Sequence, residues 1–221
     1  MALGPEPVER PMFPLESALL PDEELALHVF EPRYTALVEH CLRNADPDFV
    51  VVLISQGGEV GGGDIRCDVG VLAGIVECVD LGSGRYALRC RMGERIRVCD
   101  WLPDAPYPRA MVQAWPDEPG DAVTDAQLRA AEDQMMAVFE RIAQARGAVV
   151  PARDVLLGPP QGDAGKRLYA LASRVPMGHA DRYAVLSAPS AADRLAALLE
   201  AVESVAAMVE FQLSDDGPAP R

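Results

Sequence analysis

Apolar and polar positions follow two different patterns along this chain. Up to about Trp115 the apolar residues come in short runs broken by Gly, Pro and Asp, and from Thr124 onward they recur at helical spacing in Ala- and Leu-rich sequence. The stretch Pro116–Asp121 (PDEPGD) between them has the composition of a linker. The pattern therefore predicts an α+β protein, with a β-rich subdomain over residues 1–116 and a helical subdomain over 117–221.

In the first region, Met12–Leu15 is a short strand, and Glu24–Phe30 alternates Leu25, Leu27 and Val29 onto one face. Pro32 suits the first turn of a helix whose apolar stripe is Leu37, Val38, Cys41 and Leu42. Phe49–Ser55 is continuously apolar, the signature of a strand covered on both faces. Gln56–Asp64 holds five glycines and predicts a loop. Val69–Leu81, Tyr86–Met92, Arg95–Trp101 and Ala110–Trp115 are further strands, with a turn at Leu81-Gly-Ser-Gly-Arg85. Short strands at this spacing predict a small barrel or sandwich holding one helix.

The second region opens with a capping box, Thr124 followed three residues later by Gln127. Leu128, Ala131, Met135, Val138 and Ile142 then repeat at helical spacing up to Gly147. Further helices are predicted near Lys166–Arg174 and Ala180–Leu186. A long final helix, capped by Ser190 with Asp193, carries the stripe Leu195, Leu198, Leu199, Val202, Ala206 and Val209.

Charge narrows the function. The formal net charge is −14, with 34 acidic against 20 Lys and Arg residues. Nucleic-acid affinity comes largely from phosphate neutralisation, so nucleic acid is an unfavoured partner. The cysteines number five, an odd count without a CxxC pair, which argues against a disulfide framework or zinc ribbon and fits a reducing, cytoplasmic setting. Met1–Arg10 lacks an apolar signal core, and no apolar run reaches the roughly 20 residues that span a bilayer, so neither export nor a membrane partner is expected.

Motifs for chemistry are missing. The three histidines, His28, His40 and His179, have no metal-ligand spacing. His40 and Cys41 are helical neighbours pointing in different directions. No Gly-x-Ser-x-Gly elbow or His-Glu-x-x-His occurs. Gly158–Arg167 imitates a phosphate loop, but Pro160 and Arg167 stand where the turn glycine and the Mg²⁺-binding hydroxyl belong. The residues predict neither catalysis nor a cofactor.

A family resemblance rests on Phe13–Val52. Phe13-Pro14-Leu15, Leu20-Pro21, then Leu25, Leu27, Val29 and Phe30-Glu31-Pro32-Arg33-Tyr34 entering a helix resemble, in order, the signature of the Lon protease N-terminal domain. Val69–Glu77, Gly84-Arg-Tyr86, Gly93-Glu-Arg-Ile96 and Pro106-Tyr107 are similar to its later elements, with Val71 where the family has Thr. The resemblance implies a PUA-like β pseudobarrel with one helix, followed by a C-terminal helical bundle. It implies a substrate-recognition module, free-standing here and without the ATPase and peptidase of full Lon proteases. The partner expected is unfolded polypeptide or a specific protein. A small-molecule or nucleotide-sensing domain is the alternative, suggested by the Gly-rich loop and an arginine-rich face.

Several residues are candidates for peptide contact. Arg33 and Tyr34 either line a cleft or belong to the helix start, with Arg33 paired internally. Arg85, Arg89, Arg91, Arg95 and Arg97 fall within thirteen residues. Strand alternation sets Arg89 and Arg91 opposite Leu88, Cys90 and Met92, and a hairpin would gather Arg89, Arg91, Arg95 and Arg97 into one carboxylate-binding patch. The bland reading is a solvated face neutralised by nearby acids. Leu19, Leu20 and Met135-Met136 suit an apolar groove, beside Phe30, although such residues more often belong to an ordinary core.

Overall fold

The continuous apolar run marks the centre of the first compact unit. It forms β3 (Asp48–Gln56), in which Phe49 to Ile54 are all buried, as a strand covered on both faces requires. The computed structural model describes residues 4, 6–58, 65–159 and 162–215. Most of the predicted Gly-rich loop, residues 59–64, lies outside them. Beside β3, β1 (Val8–Leu15) runs parallel with Met12 opposite Val50 and Leu15 opposite Leu53. On its other side β4 (Ile65–Gly82) runs antiparallel.

A tight turn at Ser83-Gly84, with φ of 56° and 71°, leads into β5 (Arg85–Leu102). Both central residues in the left-handed region make a turn matched to strand twist. Strand β6 (Arg109–Ala114) pairs with β1 and also with the C-terminal half of β5. With β2 (Glu24–Val29) at one end, the sheet order β2-β5-β4-β3-β1-β6 therefore closes through β5–β6. This is the α+β pseudobarrel architecture, with β2 attached outside the ring to the N-terminal half of β5.

Alternation divides the strands between two cores. Met12, Val50, Val52, Leu72, Ile96, Val98, Ala110 and Val112 fill the barrel. Their neighbours face the other way, and there Phe13 meets helix α1 (Pro32–Cys41): the Phe13 and Tyr34 rings stack at 4.2 Å, and Phe13 touches Phe49 at 5.7 Å. The buried stripe of α1 is Tyr34, Leu37, Val38 and Cys41. Leu42 departs from expectation: it lies past the last helical residue and is 41% exposed. Gly70 is dictated by close approach, since a Cβ there would stand 2.2 Å from the Val51 carbonyl oxygen.

One predicted break is absent. Tyr86–Met92 and Arg95–Trp101 are not two strands but parts of the single β5. The ladder with the equally long β4 absorbs Gly93-Glu94 by register shifts, one of them between Val71 and Ala73, so a glycine that suggests a turn marks a bulge.

The chain divides into two compact units, Met1–Pro116 and Asp117–Arg221. In the second, α2 (Asp125–Ala145) starts with the capping box: the Gln127 amide donates to Thr124 Oγ1, and the Thr124 amide donates to Gln127 Oε1. Then follow α3 (Arg153–Leu157), α4 (Ala164–Ala172), α5 (His179–Ser187) and α6 (Ala191–Asp215), with α6 packed against α2, α4 and α5. Five residues are too few for a periodic signal, so α3 is not legible in the sequence.

A buried arginine ties the start of this unit to its central helix. Arg194 on α6 is 0% exposed. It donates two hydrogen bonds to Asp117, at 2.9 and 2.5 Å, and lies 3.9 Å over the Tyr169 ring. Gly165 makes room, for a Cβ there would stand 2.6 Å from the Asp117 carboxylate. The two partners are not equivalent, because the Asp117 side chain is 37% exposed. Asp117→Ala strands a buried cation and should cost about 3 kcal/mol in urea unfolding. Arg194→Met leaves a carboxylate that water can reach and should cost about 1 kcal/mol or less.

Candidate functional site

The corner where β2 runs into α1 gathers the most distinctive side chains. Pro32 takes the first helical position, and Glu31 at the N-cap makes no side-chain cap. Its carboxylate instead accepts a hydrogen bond from Arg33 Nε at 3.1 Å. The Arg33 guanidinium sits 4.5 Å from the Tyr34 ring centroid, and Tyr34 stacks in turn on Phe13. This layering leaves a cleft of about 90 Å³ lined by Phe13, Leu15, Leu27, His28, Val29, Phe30, Glu31 and Tyr34. Phe30, 63% exposed, stands at it with little cover of its own. The alternation of β2 ends one residue before Phe30, which frees its ring from the buried face.

Of the residues that the sequence offers for peptide contact, this corner unites Phe30, Arg33 and Tyr34. Arg89 and Arg91 lie elsewhere. Cross-strand partners share a face, and Leu27 pairs with the buried Leu88 whereas Ala26 and Glu24 pair with Arg89 and Arg91. The two arginines are thus across the sheet from the cleft. They are exposed and paired with Glu77 at 3.1 Å and Asp22 at 3.7 Å. Leu20 and Met135 are core residues, 0% and 1% exposed, so neither presents surface to a ligand. Both are apolar at positions where packing, not sequence, decides which side faces water.

The four-arginine patch does not form, because β5 runs straight on where a hairpin would have turned back. Arg95 is buried, donates to the carbonyls of Trp115 and Pro116, and lies 4.1 Å over the Trp115 ring. Arg97 lies 3.8 Å from the same ring. These two arginines hold the exit from β6 and are separated from Arg89 and Arg91 along one strand.

A larger cleft, about 620 Å³, lies in the helical unit between α2, α3 and α4. Glu132 occupies its wall and accepts from Arg167 at 2.6 and 3.1 Å and from Arg153 at 3.1 Å. Arg167 also donates to the carbonyls of Leu157, Gly158 and Pro159, closing the C-terminal end of α3. The false phosphate-loop residue Arg167 is therefore a brace. Three side chains from three helices make this cluster, which no local motif announces. Arg129, also on the wall, has no hydrogen-bond or ion-pair partner among the described residues.

Burial pushes the Cys41 and Cys90 thiols up to about 12, which leaves them protonated and poor nucleophiles. The His40 Nδ1 shares a hydrogen bond of 2.7 Å with the Tyr107 hydroxyl. Among the described residues no cluster of three or more His, Cys, Asp or Glu is placed to hold a metal ion. No described helix is long and apolar enough to cross a membrane.

The chain is thus an α+β protein with a six-strand sheet, five strands of which close into a ring through β5–β6, and a following set of helices. The sequence matches the ATP-dependent protease La (LON) substrate-binding domain over residues 9–204, and the chain belongs to that family. A Lon N-terminal domain protein from Xanthomonas campestris is 26% identical with a TM-score of 0.61, over 87% of this chain and 98% of that one. The N-terminal domain of Lon protease from the Mycobacterium avium complex is 15% identical with a TM-score of 0.51, over 95% and 100%, and is a likeness of fold. No protein of curated function matches the sequence.

The Glu132 cluster makes a prediction about acid. Burial raises the Glu132 carboxyl, but the hydrogen bonds from Arg167 and Arg153 outweigh it and hold the group below its usual 4.5. A carboxyl lowered by folding adds stability above its unfolded value and loses it as pH falls through the folded one. Wild-type stability should therefore fall on acidification below about 4.5. Glu132→Gln should be less stable at neutral pH and show a shallower fall in the same range, measured by urea unfolding.

Proposed function

We propose that this chain is a non-catalytic polypeptide-recognition module that takes unfolded segments or one dedicated protein partner. The observation that carries this reading is the exposed Phe30 beside an apolar cleft floored by the Phe13–Tyr34 stack, in a chain of a substrate-binding-domain family. An exposed aromatic next to an apolar recess gains by covering both, and aromatic anchors dominate recognition surfaces. Nucleic acid fits poorly, since the net charge is −14 and Arg89 and Arg91 already face acidic partners. Five cysteines without a disulfide bond suit a reducing, cytoplasmic location.

Fluorescence anisotropy of a labelled, permanently unfolded polypeptide tests the proposal. Wild type should bind it and ignore a folded control, and Phe30→Ser should weaken binding about tenfold with an unchanged melting temperature. Wild type that binds neither would end the general-capture version of this reading. ATP hydrolysis or peptide cleavage by the pure protein would end the non-catalytic part.

A second reading, a small-ligand sensor, draws on the 620 Å³ cleft and the unpartnered Arg129 on its wall. It requires a thermal shift with small anions that Arg129→Ala removes.

A further inference from the structure

The recognition reading leaves open how a chain would be held, and strand β2 supplies a specific answer. It stands at the end of the sheet order and, among the described residues, pairs with β5 alone. The phase of its backbone can be worked out. The Asp22 amide donates to the Met92 carbonyl at 3.0 Å, and the Met92 amide donates to the Glu23 carbonyl at 2.8 Å. Met92 thus directs its backbone groups toward β2, and by alternation so do Cys90, Leu88 and Tyr86. Their partners Leu25, Leu27 and Val29 answer them. The amides and carbonyls of Glu24, Ala26 and His28 then point away from β5, along the open edge. Those of Ala26 and His28 have no hydrogen-bond partner among the described residues.

Natural edges are usually blunted by Pro, Lys or a bulge. Between Glu24 and Val29 there is no Pro and no Lys, and the pairing with β5 runs in unbroken register from Glu24–Arg91 to Val29–Tyr86. The cleft borders the same stretch, since Leu27 to Phe30 line it together with Phe13, Leu15 and Tyr34. An open row of backbone donors and acceptors beside a recess of about 90 Å³ fits one class of ligand: another extended backbone carrying an aliphatic side chain on alternate residues.

We infer that β2 is a docking edge for an extended polypeptide, which adds as a further strand and drops alternate apolar side chains into the Phe13–Tyr34 cleft. This rests on the recognition reading and sharpens it. The preferred segments are those that alternate apolar and polar residues, the pattern of sheet cores laid open by unfolding. Amphipathic helices place their apolar residues at the wrong period for this edge.

The test uses two labelled peptides of identical Leu and Thr composition, one alternating and one with Leu at helical spacing, titrated by anisotropy. The alternating peptide should bind about tenfold more tightly. Ala26→Pro removes one outward amide without touching the β5 ladder, and should weaken the alternating peptide about tenfold while circular dichroism stays native. N-methylation of alternate peptide amides leaves the protein unaltered, which keeps the test decisive if that variant fails to fold. One methylation phase should abolish binding and the other should spare it. Equal loss in both phases, or equal affinity for the two peptides, overturns edge pairing and leaves general recognition standing. Wild type that binds neither peptide overturns both.

Discussion

The barrel depends on the length of β5. Its eighteen residues allow one strand to hold β4 from Arg85 to Arg97, β2 at its N-terminal half and β6 at its C-terminal half. A shorter strand would leave the sheet open at β6 or shed β2. Because the ring closes through β5–β6, β2 joins the sheet outside it, with one face apolar and, among the described residues, one edge unpaired. The closed ring fixes where the candidate site stands. Phe13 reaches the site from β1, Leu27 to Phe30 from β2, and Tyr34 from the helix that follows.

The arginines show how an acidic chain uses its few cations. Arg95, Arg167 and Arg194 are buried, each bonded to carbonyls or carboxylates of its own unit. Two of these three also lie over an aromatic ring. A planar guanidinium with fixed donors suits such roles better than an ammonium. Their positive charge is consumed internally, so an arginine-rich sequence does not become a basic surface. The exposed pair Arg89 and Arg91 faces Glu77 and Asp22, which weakens any claim to an anion site.

The two clefts differ in kind. The larger one is walled by Glu132, Arg153 and Arg167, which satisfy one another, and its chemistry is largely spent on holding three helices together. The smaller one has an aromatic floor and a Phe30 left mostly exposed by the fold. Size alone would choose the first, and unspent interaction chooses the second.

Much of this was legible in the residues themselves. Strict alternation gave β2 its half-buried Leu25–Leu27 side ending in the buried Val29, the apolar run gave β3, and Thr124 with Gln127 gave the start of α2, because each is a local pattern with a local cause. The Phe30-Glu31-Pro32-Arg33-Tyr34 motif likewise pointed to the family and supplies one corner of the candidate site. Tertiary structure alone decided the rest. Leu20 and Met135 are apolar at positions that only packing could bury, and Arg95 left the expected patch because a bulge carried β5 past Gly93. Glu132, Arg153 and Arg167 meet from three helices, and β2 keeps a free edge, because ring closure and helix packing bring together or leave apart residues that are distant in the chain.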